Sequence, residues 1–165
     1  MATEGNNLSE YDKNKVPNAK EFRFGIVVSE WNENITEGLF QGAFEALKAH
    51  GVLDESIWRW NVPGSFELIY GCKKMVETYD MLDAVIAIGS VIEGETKHFD
   101  FVCQGVSQGI KDLNVQQDIP VIFCVLTDQN MQQAIDRSGG KHGNKGTEAA
   151  VAAIKMAKLR WDARL

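Results

Sequence analysis

Apolar positions along this chain fall into two spacings: short runs that suit strands, and stripes of period three to four that suit amphipathic helices. The runs at 22–28, 56–61, 83–89 and 120–126 predict four strands. The striped segments predict helices over 34–49, 66–79, 99–114, 130–137 and 145–161. The clearest stripe is Phe99, Cys103, Val106, Ile110 and Leu113. The last helix is expected to bury Ala150, Ile154, Ala157 and Trp161, and Ser138-Gly139-Gly140 closes the short helix before it.

The third and fourth runs are near-continuously apolar, which is how strands read when helices cover both faces. That predicts a parallel sheet. Strands alternating with helices, joined by right-handed crossovers, leave few topologies. The expectation is a three-layer αβα fold around a four-stranded parallel sheet of order 2-1-3-4, as in flavodoxin-like folds. Residues 1–20 are polar with little periodicity and read as an arm, leaving 21–165 as the domain.

Composition narrows the function classes. At 165 residues, 44% of them hydrophobic, the chain suits one domain with a full core. Its 17 Lys and Arg against 23 Asp and Glu give a net charge of −6, which argues against nucleic acid as a partner. Cys72, Cys103 and Cys124 are odd in number and far apart, so neither a disulfide framework nor a CxxC metal site is suggested. With no apolar leader and no run approaching the ~20 residues of a membrane span, the expected location is the cytoplasm, without a membrane partner.

In open parallel sheets ligands bind beyond the carboxyl ends of the strands. Here those ends carry Ser29-Glu30-Trp31-Asn32, then Val62-Pro63-Gly64-Ser65-Phe66-Glu67, then Gly89 to Asp100, then Thr127-Asp128-Gln129-Asn130, and these segments are expected to converge. Gly94-Glu95-Thr96 ahead of a helix has the physics of an anion cradle; it also fits a plain helix start, with Thr96 as cap and Gly94 relieving the backbone. Arg137 adds to such a site if it reaches the same pocket, or else complements a helix C-terminus. His98 can take and give a proton near neutral pH, or serve as a packed ring at a helix start. Trp31 can stack on a planar heterocycle or staple the following helix, and Glu67 can accept from ligand hydroxyls or favour its helix dipole. His50 and His142 read as structural, and no metal cluster, nucleophile elbow or GxGxxG is present in the sequence.

Five blocks in order resemble the 6,7-dimethyl-8-ribityllumazine synthase family across about residues 22–161. They are Ser29-Glu30-Trp31-Asn32 with Ile35-Thr36, Val62 to Glu67, Gly89 to Asp100, Pro120 to Phe123 with Leu126-Thr127, and Arg137 to Gly146. The resemblance implies condensation of 5-amino-6-(D-ribitylamino)uracil with 3,4-dihydroxy-2-butanone 4-phosphate, without metal or organic cofactor. It implies proton transfer by His98, and phosphate binding by Thr96, the neighbouring Glu95 and Arg137. Trp31, Ser65, Phe66, Glu67, Ser90, Val91 and Ile92 then hold the pyrimidine and its ribityl chain, with Phe123 and Lys145 supplied by an adjacent subunit. It further implies an arm that adds a strand to a neighbour's sheet, pentamers, and a 60-subunit icosahedral shell of twelve pentamers, with riboflavin synthase as a candidate cargo.

Three positions depart from the family pattern. Glu93 stands where arginine is common, Asp128 where a second threonine is frequent, and Cys124 where glycine is common. Two readings of another class compete with the enzyme: a non-catalytic shell or scaffold protein, and a flavin-binding module without turnover.

Overall fold

The computed structural model describes residues 6–164. Strands β1 (Phe24–Ser29), β2 (Ile57–Val62), β3 (Ala84–Ile92) and β4 (Val121–Asp128) form a wholly parallel sheet in the order β2-β1-β3-β4. Helices α1 (Glu33–Ala49), α2 (Leu68–Thr78), α3 (His98–Gln116), α4 (Met131–Arg137) and α5 (Lys145–Ala163) surround it. The expected three-layer fold and strand order are therefore observed.

Alternation along the strands sends one set of side chains to each layer. Ile26, Val28, Ile86 and Ile88 pack with Leu39 of α1, Ala134 of α4 and Ile154 of α5. Val27, Val85 and Ala87 pack with Met75 of α2 and Ile110 of α3. Each fully buried Leu or Ile contributes about 1.5–3 kcal/mol relative to exposure.

The edges of these elements differ from expectation in instructive ways. β3 runs on past Gly89 to include Ser90, Val91 and Ile92, because β4 is equally long and pairs with them at Leu126, Thr127 and Asp128. β4 is an outer strand whose Phe123 remains 37% exposed, so its apolar run is less completely covered than the pattern implied. Trp161 is also partly exposed, at 44%. Its indole N–H needs an acceptor and finds Asp83 Oδ1 at 2.6 Å, at the start of β3, while its ring meets Phe22 edge-on. Asp83, itself buried, also accepts from the Arg23 amide at 2.8 Å.

Between α4 and α5 lies an antiparallel hairpin of β5 (Ser138–Gly140) and β6 (Gly143–Asn144), which the sequence pattern did not announce. Of the arm, residues 1–5 lie outside the described residues, and residues 6–20 hold no strand. Described parts of the arm are also bonded to their own chain. The Leu8 amide donates to His142 O at 2.7 Å, the Asn144 amide to Ser9 Oγ at 2.9 Å, and the Ala19 amide to His50 O at 2.8 Å. Val16 and Ala19 enter the core beside α1. The arm passes so close over Gly143, at φ +83°, that a Cβ there would lie 2.7 Å from the Ser9 nitrogen.

α1 and α5 cross with almost no gap. A Cβ on Gly146 would lie 1.8 Å from Leu39 O, and Asn144 locks the crossing by donating to Gly38 O at 2.8 Å while accepting from the Gly146 amide at 2.8 Å. Gly146→Ala is expected to force these helices apart at a cost of about 3 kcal/mol, the upper range for an overpacked interior. Urea unfolding measures it, and an unchanged midpoint would contradict the close crossing.

Candidate active site

Three of the four strand ends converge on one open cleft of about 750 Å³. After β1 comes Trp31, after β2 come Pro63 to Glu67, and the end of β3 with the first turn of α3 supplies Ser90 to Ile92, Gly94, Thr96 and His98. The fourth end does not join them. Thr127 to Asn130 were expected to converge too, but Thr127 and Asp128 stay in β4, paired with Val91 and Ile92, while Gln129 and Asn130 are used to start α4. Asn130 Oδ1 accepts from the Gln133 amide at 3.0 Å, and Gln133 Oε1 accepts from the Gln129 amide at 2.9 Å.

Trp31 sits 72% exposed over the cleft on a turn that is rigidly tied down. The Glu30 amide donates to Val62 O at 2.8 Å and the Trp31 amide to Pro63 O at 3.1 Å, while Ser29 Oγ donates to Trp31 O at 3.3 Å. Asn32 follows in the left-handed region, at φ 59°, the sole positive-φ non-glycine among the described residues. Its side chain does not cap α1; it donates to Ser90 O at 3.1 Å and so fastens the Trp31 turn to β3. This bond was not apparent from the pattern, although an Asn just ahead of a helix is a recognisable candidate for positive φ.

At the cleft floor Ser65 and Ser90 are buried, and neither hydroxyl has a protein partner among the described residues. Gly89 makes room for this arrangement, since a Cβ there would lie 2.5 Å from Ser65 Oγ. Glu67 is exposed at the rim with Phe66, and a Cβ on Gly64 would lie 2.9 Å from the Glu67 carboxylate.

Thr96 and His98 are exposed on the cleft wall, and Thr96 Oγ1 accepts from the His98 amide at 3.3 Å. The N-cap of α3 is Lys97 and not Thr96 as expected, but Thr96 Oγ1 still takes up the first amide of the helix, and its hydroxyl proton is available to a ligand. Gly94 is not relieving the backbone: its φ is not positive, and a Cβ would meet nothing within 4 Å. Glu95 is exposed in the same turn but does not line the cleft. Phe101 and Val102 line it and were not singled out; the available signal was an aromatic residue off the apolar stripe in the first turn of α3, and the structure leaves that ring 70% exposed.

Arg137, Phe123 and Lys145 do not line the cleft of their own chain. Arg137 Nη1 donates to Gln133 O at 3.0 Å near the end of α4, the helix-terminal role considered for it, and lies 3.7 Å from Asp128 Oδ1. Burial pushes the Asp128 carboxyl above the usual carboxylate range, opposed by the Arg137 charge. Lys145 pairs with Glu148 at 2.6 Å. Burial pushes the Cys124 thiol up to about 12, which leaves it inert as a nucleophile. Among the described residues no group of three or more His, Cys, Asp or Glu is placed to hold a metal ion, and no helix is long and apolar enough to cross a membrane.

This geometry agrees with the sequence comparisons. A family profile described as 6,7-dimethyl-8-ribityllumazine synthase matches residues 21–160. The chain belongs to the 6,7-dimethyl-8-ribityllumazine synthase family. Among proteins bearing that name, one from Christiangramia forsetii is 77% identical over 99% of this chain and 98% of its own. One from Flavobacterium johnsoniae is 75% identical over 100% of this chain and 86% of its own, and one from Parabacteroides distasonis is 59% identical over 94% and 97%. Lumazine synthase family membership thus covers the whole cleft, from Trp31 to Val102.

The Trp31 turn supplies a direct test. Asn32→Ala is expected to lose about 1–3 kcal/mol, since it removes the bond to Ser90 and leaves a Cβ residue at positive φ. Asn32→Gly keeps the backbone conformation and is expected to lose less. Equal losses in urea unfolding would show that backbone strain plays no part.

Proposed function

We propose that the cleft condenses 5-amino-6-(D-ribitylamino)uracil with 3,4-dihydroxy-2-butanone 4-phosphate to 6,7-dimethyl-8-ribityllumazine, releasing phosphate and water, as a transferase of riboflavin biosynthesis. The observation that carries this reading is a single cleft lined by Trp31, Ser65, Glu67, the Ser90–Ile92 strand end, Thr96 and His98. An indole face beside a strand end suits a planar pyrimidine, and Ser65 and Glu67 suit the hydroxyls of a ribityl chain. Thr96, the Glu95 backbone and the start of α3 suit a phosphate group.

In this scheme the amine of the pyrimidine adds to the ketone and water leaves to give an imine. Loss of the C3 proton then expels phosphate, which departs with the electron pair of its C–O bond; the enol left at C3 tautomerises to a ketone, and the second amine closes the ring on it with loss of water. His98 moves the protons, taking one from the adding nitrogen and giving one to a leaving oxygen. Neither a metal nor an organic cofactor is required.

The site is shared between subunits on this reading. Arg137, Phe123 and Lys145 come to the cleft from a neighbouring copy, which is supported by their absence from the cleft of their own chain. Exposed Phe66 and Phe101 at the rim, and β2 as an open sheet edge for a neighbour's arm, support the same association into pentamers. Twelve pentamers closing into a cytoplasmic shell, with riboflavin synthase as cargo, complete the reading.

Steady-state turnover followed by the absorbance of the lumazine tests it. The enzyme is expected to exceed the spontaneous condensation, whereas a scaffold or flavin-binding module would not. His98→Ala is expected to slow kcat by about 10- to 100-fold without abolishing it, since positioning persists; a full rate would remove the proton-transfer role. Arg137→Ala is expected to raise KM for the phosphorylated ketone far more than for the pyrimidine, and equal losses would contradict the phosphate assignment.

A further inference from the structure

Asp128 ends β4 as a carboxylate only 6% exposed, and its pairing is poor. Oδ1 lies 3.7 Å from Arg137 Nη1, beyond hydrogen-bond range, and Oδ2 is buried without a protein partner among the described residues. Nη1 already donates to Gln133 O at 3.0 Å, so the helix carbonyl fixes the direction of the guanidinium. The Arg137 side chain as a whole is 36% exposed, which leaves it accessible to a second anion. What Asp128 contributes at this distance is negative charge more than geometry. Burying that charge is costly, and a neutral side chain of the same size would avoid the cost.

The backbone of Asp128 is placed as deliberately as its side chain. Its carbonyl accepts from the Glu93 amide at 2.9 Å, at the start of the turn that carries Gly94, Glu95 and Thr96. One residue thus anchors the root of the Thr96 turn of its own cleft and stands beside the Arg137 that serves the cleft of a neighbouring copy. The charged group facing its carboxylate is Arg137 from α4; Glu93, just past the end of β3, meets Asp128 through its backbone amide and is itself exposed.

We propose that Asp128 is a positioning residue acting through Arg137: its buried carboxylate offsets part of the guanidinium charge, so that phosphate held by Arg137 is bound loosely enough to leave. This inference rests on the reading of Arg137 as a phosphate ligand. A phosphate group carrying about −1.5 to −2 charge competes with Asp128 for one cation, and each weakens the hold of the other. Phosphate is a product of the proposed condensation, and a guanidinium without an intramolecular counter-charge would retain it and slow the next turnover.

Inorganic phosphate, used as an inhibitor competing with the phosphorylated ketone in the full-length assembled protein, gives the test. Asp128→Asn keeps the shape and removes the charge. It is expected to lower both the phosphate Ki and the KM for the ketone by about two- to fivefold, the upper range for a partly exposed ion pair, with KM for the pyrimidine unchanged. Asp128→Ser is expected to shift both in the same direction, independently of how the Asn amide packs. In an Arg137→Ala background Asp128→Asn is expected to have no effect on Ki. Arg137→Ala with an unaltered phosphate Ki would overturn the phosphate reading itself. Arg137→Ala that weakens phosphate, together with Asp128 variants that leave Ki unchanged or raise it, would overturn the role of Asp128 alone.

Discussion

β3 pairs in parallel with β1 along one side and with β4 along the other, and its residues from Ala84 to Ser90 are buried. A strand held in this way cannot shift register without exposing its apolar set. Its carboxyl end is therefore a fixed platform, and the cleft is assembled around it. The Trp31 turn is fastened to Ser90 O by Asn32, the Glu93 amide is fastened to Asp128 O, and Gly89 gives Ser65 room to approach. Trp31, Ser65 and Thr96 belong to three different segments of the chain and meet only because β3 places their supports at one end of the sheet.

The cleft is stiff in its backbone and undersatisfied in its side chains. Among the described residues, Ser65 and Ser90 carry buried hydroxyls without protein partners at its floor, and outside it Asp128 carries a buried oxygen without one. Such groups cost about 1–3 kcal/mol each when left unmade, which a fold tolerates mainly where ligands or charge are to be handled. Asn32 belongs with them, because its side chain is spent on holding Trp31 instead of capping α1. Elsewhere the chain is well satisfied: Asn144 caps α5 and locks α1, and Asp83 receives both Trp161 and Arg23.

Much of the fold was legible because strand and helix periods differ sharply in this sequence, and the alternation of the two admits few topologies. Where expectation and structure part, the cause is tertiary. Ser90 to Ile92 looked like a turn because a polar residue follows Gly89, yet β4 offers them backbone partners. Trp161 looked buried by spacing, but its N–H draws it to the rim at Asp83. Most of the cleft residues were legible from their place after β1, β2 and β3. The segment at the end of β4 was not, since nothing in Thr127 to Asn130 reveals that β4 runs through Asp128 and that Gln129 and Asn130 are taken up by Gln133 at the start of α4. Arg137, Phe123 and Lys145 line no cleft of their own chain.

A site divided between copies is the central claim, and subunit mixing tests it most directly. Chains carrying His98→Ala and chains carrying Arg137→Ala are unfolded, mixed in equal amounts and reassembled, and turnover is compared with each variant reassembled alone. The account predicts recovery toward about a quarter of the unmodified rate, because about one interface in four then joins an intact His98 to an intact Arg137. Activity no greater than the average of the two variants would contradict it.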